Sequence, residues 1–197
     1  RPGSAVHEAL VNIVSAKGLV SREQLHRIGE KLELADRSLP AASLVARAWA
    51  DPAFKARLLA CATSAAAELN INAANPNAPT ELVVVENDAH THNLVVCTLC
   101  SCYPASVLGP SPLWYKARSY RARAVRQPRK LLRDAFGLLV PDNVQLRVHD
   151  STADMRYMVL PQRPAHTEHW SEEALRALIT RNSLLGVSLP LKAATKA

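Results

Sequence analysis

At 197 residues, 48% of them hydrophobic but only 5% aromatic, the chain is long enough for one domain with an appendage, and its core must be built from Ala, Leu and Val. No run approaches the ~20 apolar residues of a membrane-crossing helix, and Arg1-Pro2-Gly3-Ser4 reads as a trimmed terminus without the apolar stretch of a secretory signal, so the expectation is no membrane and a cytoplasmic, reducing compartment. The net charge of +7 raises a nucleic-acid reading.

From Val6 to about Leu69 the apolar period is helical. Val6, Leu10 and Ile13 share a face before Gly18, and Ser21 with Gln24 forms a capping box ahead of Leu25, Ile28 and Leu32. Pro40 opens a third helix presenting Leu44, Val45, Ala48 and Trp49. Asp51-Pro52 supplies an N-cap and first-turn proline for a fourth, whose stripe runs Phe54, Leu58, Cys61, Ala62, Ala65 and Leu69, which makes Cys61 a core residue. Residues 70–80 are a turn-rich linker. Past it the period shortens: Leu82–Glu86, Asn93–Val96, Val144–Val148 and Met155–Leu160 read as strands, the last stopped by Pro161. Pro128 opens a helix carrying Leu131, Leu132, Ala135 and Phe136 that ends at Gly137, and Ser171 caps a last helix with Glu172 and Glu173 in its first turn. The fold class is therefore α+β: a helical N-terminal arm over 1–70 and a mixed strand and helix domain over 71–197.

Cys97, Cys100 and Cys102 place three of the four cysteines within six residues, directly after a strand, at the spacing C-x-x-C-x-C. Two intervening residues turn the chain and one more returns it, so three sulfurs can face one point. The single residue between Cys100 and Cys102 brings the peptide nitrogens of Ser101 and Cys102 to the same place, and three sulfurs with two nitrogens leave one octahedral position open. Structural zinc wants four side-chain ligands, which here would need His90 or His92, and iron–sulfur clusters also want four. A disulfide between Cys100 and Cys102 would close a strained ring, and Thr98 and Ser101 between the cysteines argue against a merely apolar role. An open metal site is the expectation.

Elsewhere, Lys116, Arg118, Arg121, Arg123, Arg126, Arg129, Lys130 and Arg133 crowd one region beside Trp114, Tyr115 and Tyr120. Arginine dominates, which favours a protein interface over nucleic acid. His90-Thr91-His92 reads as a polar turn, His149-Asp150-Ser151 names triad residue types that sequence neighbours rarely bring together, and His166 and His169 could line a pocket.

The loop Cys97-Thr98-Leu99-Cys100-Ser101-Cys102-Tyr103 resembles the active-site loop of cobalt-type nitrile hydratase alpha subunits and of the related cobalt subunit of thiocyanate hydrolase. The segments Val45–Lys55, Leu113–Lys116, Tyr120–Arg129, Met155–Pro164 and His169–Glu173 follow the same pattern, so the resemblance covers the chain beyond about residue 40. It implies a layered α-β-β-α fold and hydration of a nitrile to an amide at one low-spin Co(III) per chain. The metal ligands would be Cys97, Cys100, Ser101 and Cys102, with Cys100 oxidised to sulfinate and Cys102 to sulfenate. The catalytic set would be Cys102, Ser101, Tyr103 and Arg156, with the sulfenate oxygen or metal-held water as nucleophile. Cobalt rather than iron rests on Thr98 and Tyr103. The implied partners are beta-type subunits, a cobalt-loading activator and a small-molecule nitrile.

Two positions depart from the pattern. Ala105 stands where a tryptophan usually walls the substrate pocket, and Ala78-Pro79-Thr80 replaces a Gln-Gly-Glu segment. Both favour a bulky heterocyclic or nucleoside nitrile, as in the toyocamycin nitrile hydratase group, with the partner split into two small subunits. Leu39–Ala42 and Ser111–Trp114 keep thiocyanate hydrolysis as the alternative, and a noncatalytic metal-binding interaction subunit is the second alternative.

Overall fold

A computed structural model describes residues 9, 12–13, 16–18, 39–74, 80–100 and 102–192. The chain divides into two compact units, Arg1–Arg37 and Ser38–Ala197. In the first, Ala9, Asn12, Ile13 and Ala16 are helical and Gly18 takes φ 65°, the left-handed stop expected of it. The Ser21 capping box and the helix from Leu25 to Leu32 lie outside the described residues.

The second unit opens with α1 (Pro40–Ala50), α2 (Pro52–Ala60) and α3 (Ala62–Glu68). Pro40 and Pro52 stand in the first turns, where their missing N–H costs nothing, and Asp51 Oδ1 accepts from the amides of Ala53 and Phe54 at 2.9 and 3.0 Å. Leu44, Val45 and Ala48 are buried as their spacing predicts, with Trp49 partly buried, but Ala41, Ala42 and Ala46 are buried too, so α1 is enclosed nearly all round. These three helices share one hydrophobic core with the strands. The boundary expected near residue 70 is thus a change of secondary structure inside the unit that begins at Ser38.

Cys61 corrects the stripe. It is extended (φ −153°, ψ 92°) and separates α2 from α3. One non-helical residue shifts the helical phase, so Ala62 and Ala65 turn inward with Phe54 and Leu58 while Cys61 is exposed, its Sγ 3.2 Å from Ser64 Oγ.

The strands are β1 (Glu81–Glu86), β2 (Thr91–Val96), β3 (Gln145–Asp150) and β4 (Met155–Leu160). They pair as two parallel ribbons, β1 with β4 from Glu81↔Met155 to Glu86↔Leu160, and β2 with β3 from Thr91↔Gln145 to Val96↔Asp150. Parallel pairing demands long crossovers. The one between β2 and β3 carries the cysteine loop and four helices, α4 (Ala105–Leu108), α5 (Leu113–Lys116), α6 (Arg118–Arg126) and α7 (Pro128–Phe136). Gly137 ends α7 in the left-handed conformation, Leu131 and Leu132 are buried, and Ala135 is exposed. α8 (Glu172–Arg176) has the Ser171 cap, but α9 (Arg181–Leu184) follows it with a Thr180/Ser183 capping box, so α8 is not the last helix.

β2 begins two residues earlier than its apolar run suggested. Asp88, not a histidine, makes the turn, its Oδ1 accepting from the amides of His90 and Thr91 at 2.7 Å. His92 is a buried strand residue, held by Asn87 and by the Gly186 carbonyl 2.8 Å from Nε2. Asn93 donates to Glu86 O and Asn87 Oδ1, so side-chain amides join the end of β1 to β2, two strands that do not pair with each other. The C-terminal segment closes the free edge of β2, with Val95 N donating to Leu185 O at 3.0 Å. No helix among the described residues is long and apolar enough to cross a membrane.

Candidate metal centre

β2 delivers Cys97 straight out of the core. Leu94, Val95, Val96 and Cys97 are all fully buried, and the chain emerges only at Thr98. The loop then folds the three sulfurs together, Cys97 to Cys100 at 3.5 Å and Cys100 to Cys102 at 3.2 Å, all three within 4.8 Å of one another. These are contact distances between free thiols, so no disulfide forms. Cys97 is buried, Cys102 half-buried and Cys100 exposed, a graded opening from core to surface. Ser101 lies outside the described residues.

The loop backbone is tied from three sides. Thr98 donates its amide to Asp150 Oδ1 at 2.8 Å and its hydroxyl to Asp150 Oδ2. Arg121 Nη1, from α6, donates to the carbonyls of Thr98 and Leu99 at 3.3 and 3.2 Å. Tyr115, fully buried on α5, donates to the carbonyl of Cys102 at 2.9 Å. Behind the loop the rings of Tyr103 and Tyr115 meet edge to face at 5.2 Å, and Trp114 packs the same way on Tyr120 and Phe136 at 4.8 and 4.9 Å. Tyr120 donates to Val95 O at 2.6 Å, joining that aromatic group to β2.

The convergence of the sulfurs suits a cation. Burial pushes the Cys102 thiol up to about 12, helped by its hydrogen bond to Cys100 and by the Cys97 sulfur, while the positive charge of Arg156 pulls the other way. Three thiolates this close repel one another unless a cation lies among them, and a metal ion is the cation that thiolates bind. Arg156 adds a second sign of incompleteness: its Nη1 is buried and has no hydrogen-bond partner among the described residues. A buried guanidinium nitrogen normally carries an acceptor. The donor set therefore suits an open thiolate metal site. Among the described residues the cluster contains no histidine, since His90 is in the exposed turn and His92 is committed to Gly186 O, so tetrahedral zinc finds no fourth side chain there.

Other candidates disperse. His149 Nε2 is 2.8 Å from Asn93 Oδ1, Asp150 faces Thr98, and Ser151 is buried, so the three form no triad. His166 is exposed with φ 63° in its loop. Much of the basic segment is spent internally: Arg123, Lys130 and Arg133 on Asp134, and Arg129 on the carbonyls of Val140, Pro141 and Val144. That leaves less of a phosphate-binding face than the composition suggested. The loop-tying roles of Asp150, Tyr115 and Arg121 were not foreseen. The one signal for Asp150 is the His149-Asp150-Ser151 run, which points to a triad rather than to the loop.

An α+β chain with three thiols converging at the end of a buried parallel strand defines a metal-claw protein. Its sequence over residues 3–188 matches the model of the family described as nitrile hydratase, alpha chain, and the chain belongs to that family. It is 49% identical to the low-molecular weight cobalt-containing nitrile hydratase subunit alpha of Rhodococcus rhodochrous, over 93% of this chain and 86% of that one. It is 40% identical to the thiocyanate hydrolase subunit gamma of Thiobacillus thioparus, over 92% and 77%. A variant of the Fe-type nitrile hydratase from Comamonas testosteroni Ni1 superposes with a TM-score of 0.75 at 43% identity, covering 98% of this chain and 94% of the other.

Proposed function

We propose that this chain is the metal-carrying alpha subunit of a cobalt nitrile hydratase, adding water to a nitrile to give the amide. The observation that carries this is the convergence of Cys97, Cys100 and Cys102 within reach of the positive charge of Arg156, whose buried Nη1 has no hydrogen-bond partner among the described residues. The three sulfurs and the peptide nitrogens of Ser101 and Cys102 would hold the ion. Bound there, tripositive cobalt supplies Lewis acidity to the nitrile and to the oxygen that attacks it.

The chain's own residues do the rest. Cys97, sealed in the core, would hold the ion as thiolate; Cys100 and Cys102, on the open side, are the sulfurs that would carry oxygen in the mature site, as sulfinate and sulfenate. Arg156 gives its unspent N–H to an oxygen on Cys102 and so holds charge where the nucleophile forms. Tyr103 positions the end of the loop through its edge contact with Tyr115. Ala105, small and exposed at the start of α4, leaves room beside the claw for a bulky heterocyclic nitrile. Leu99 and Leu113, 89% and 91% exposed, together with the open Cys100, call for a covering partner: one or two beta-type subunits. A cobalt-loading activator would fill the site before that cover closes, in the cytoplasm, where thiols stay reduced.

Thiocyanate hydrolysis is the second reading, supported by the Thiobacillus thioparus relative. The deciding experiment purifies the complex with its partners, measures its metal, and assays a small nitrile, a nucleoside-like nitrile and thiocyanate. Cobalt near one per chain with amide formation, abolished in Cys102→Ser, is expected. Turnover of thiocyanate alone would replace the first reading, and zinc held by four conventional ligands would replace both with a noncatalytic metal-binding subunit.

A further inference from the structure

We infer that Asp150 and Ser151, the residues where β3 ends, are positioning residues for the cysteine claw, fixing its backbone at both ends; the inference rests on the metal-site reading above. Register places Asp150 opposite Val96, and the Ser151 amide donates to Val96 O at 2.7 Å, so the end of β3 lies against the last residue before Cys97. From there the Asp150 carboxylate takes both the amide and the hydroxyl of Thr98. One carboxylate gripping two donors of one residue fixes that residue's peptide plane and its side-chain rotamer together, within the turn that separates Cys97 from Cys100. The charged acceptor makes these bonds stronger than the neutral ladder beside them.

The far end is held through a relay. Ser151, 2% exposed and accepting from the amide of Tyr157 at 3.3 Å, lies against the Tyr115 hydroxyl, and that hydroxyl donates to the carbonyl of Cys102 at 2.9 Å. Two adjacent residues thus bear on the residues flanking the first cysteine and, through Tyr115, on the last one by separate routes. Strand pairing alone would need only the Ser151 amide. The carboxylate adds nothing to that pairing and is directed at the loop, whereas the Ser151 hydroxyl serves both the Tyr157 amide of β4 and the Tyr115 side. A metal site needs its donors held within about 0.5 Å, and the groups that hold them change affinity or activity by about 10–100-fold when removed.

The test uses the partner-bound complex carrying Asp150→Ala, Thr98→Val, the two together, Tyr115→Phe or Thr98→Ser. Cobalt retained against a chelator, the position of the sulfur-to-metal charge-transfer band and the thermal midpoint are measured for each. Asp150→Ala and Thr98→Val should each lower retention by about 10–100-fold and shift the band, with the pair no worse than the worse single variant. Tyr115→Phe should shift the band, and Thr98→Ser, which keeps both donors, should match the native complex. Native retention and an unmoved band in the single variants, or a fall in midpoint alone, would overturn the inference. If Asp150→Ala does not assemble, Asp150→Asn keeps one acceptor for the Thr98 amide and should give a partial loss; native behaviour there would overturn the inference equally. A native complex that takes up no cobalt would instead remove the metal-site reading itself, and the inference with it.

Discussion

His92 Nε2 lies 2.8 Å from the carbonyl oxygen of Gly186, 94 residues further along the chain. The contact fastens the C-terminal segment to the edge of the strand that leads into Cys97, and it sets two terms of the protein's stability.

The first is steric. Gly186 has φ 76°, and a Cβ there would fall 1.8 Å from Asn93 O and 2.9 Å from Asn93 C. Those are backbone atoms of β2 and cannot swing aside. Gly186→Ala should cost at least about 1–3 kcal/mol, read as a lower midpoint in chemical denaturation.

The second is acid-base. Burial holds the His92 imidazole below its ordinary pKa, against the smaller pull of the Gly186 carbonyl, and burial lowers His149 as well. The unfolded chain therefore binds protons more readily than the folded one, so this stability is whole above pH ~6.5 and is lost as pH falls below it. The thermal midpoint should drop between pH 7 and 5, and His92→Gln should flatten that slope. An unchanged slope in the variant would assign the acid sensitivity elsewhere.

Arg156 supports a contrasting result. Its buried Nη1 has no hydrogen-bond partner among the described residues, so little stability is lost with that nitrogen. Arg156→Leu should leave the thermal midpoint nearly unchanged while turnover by the complex falls by about 10–100-fold. A large fall in midpoint with normal turnover would make it an ordinary structural residue.

Ala105→Trp tests the substrate. Filling the exposed first position of α4 should depress the activity on a nucleoside-like nitrile far more than on a small one. Equal loss on both would show that the position does not line the path of the substrate.

Much of this was legible from local rules. Asp51 and Pro52 cap α2 and Gly137 stops α7 because capping depends on a few neighbouring atoms. Met155–Leu160 matches its apolar run residue for residue, since Pro161 ends it. The claw was readable because spacing alone brings the three sulfurs together. What escaped depends on distant partners. Cys61 follows the helical stripe perfectly, and only the packing of two helices around a break turns it outward. His92 looked like turn polarity because its acceptor, Gly186 O, belongs to the far end of the chain. Asp150 stood in a suggestive His-Asp-Ser run, yet its partner Thr98 is 52 residues away, and parallel pairing of β2 with β3 is what joins them.

That separation orders the events of synthesis. The three thiols leave the ribosome some fifty residues before the carboxylate that grips Thr98, and the parallel ribbon cannot zip until the whole crossover with its four helices has been made. A nascent chain ending at Gly137 already displays every sulfur of the claw without the Asp150 tie. The cysteines must therefore spend part of their life as an ungeometric trio of thiols, open to the wrong metal or to oxidant, before the strand that disciplines them arrives.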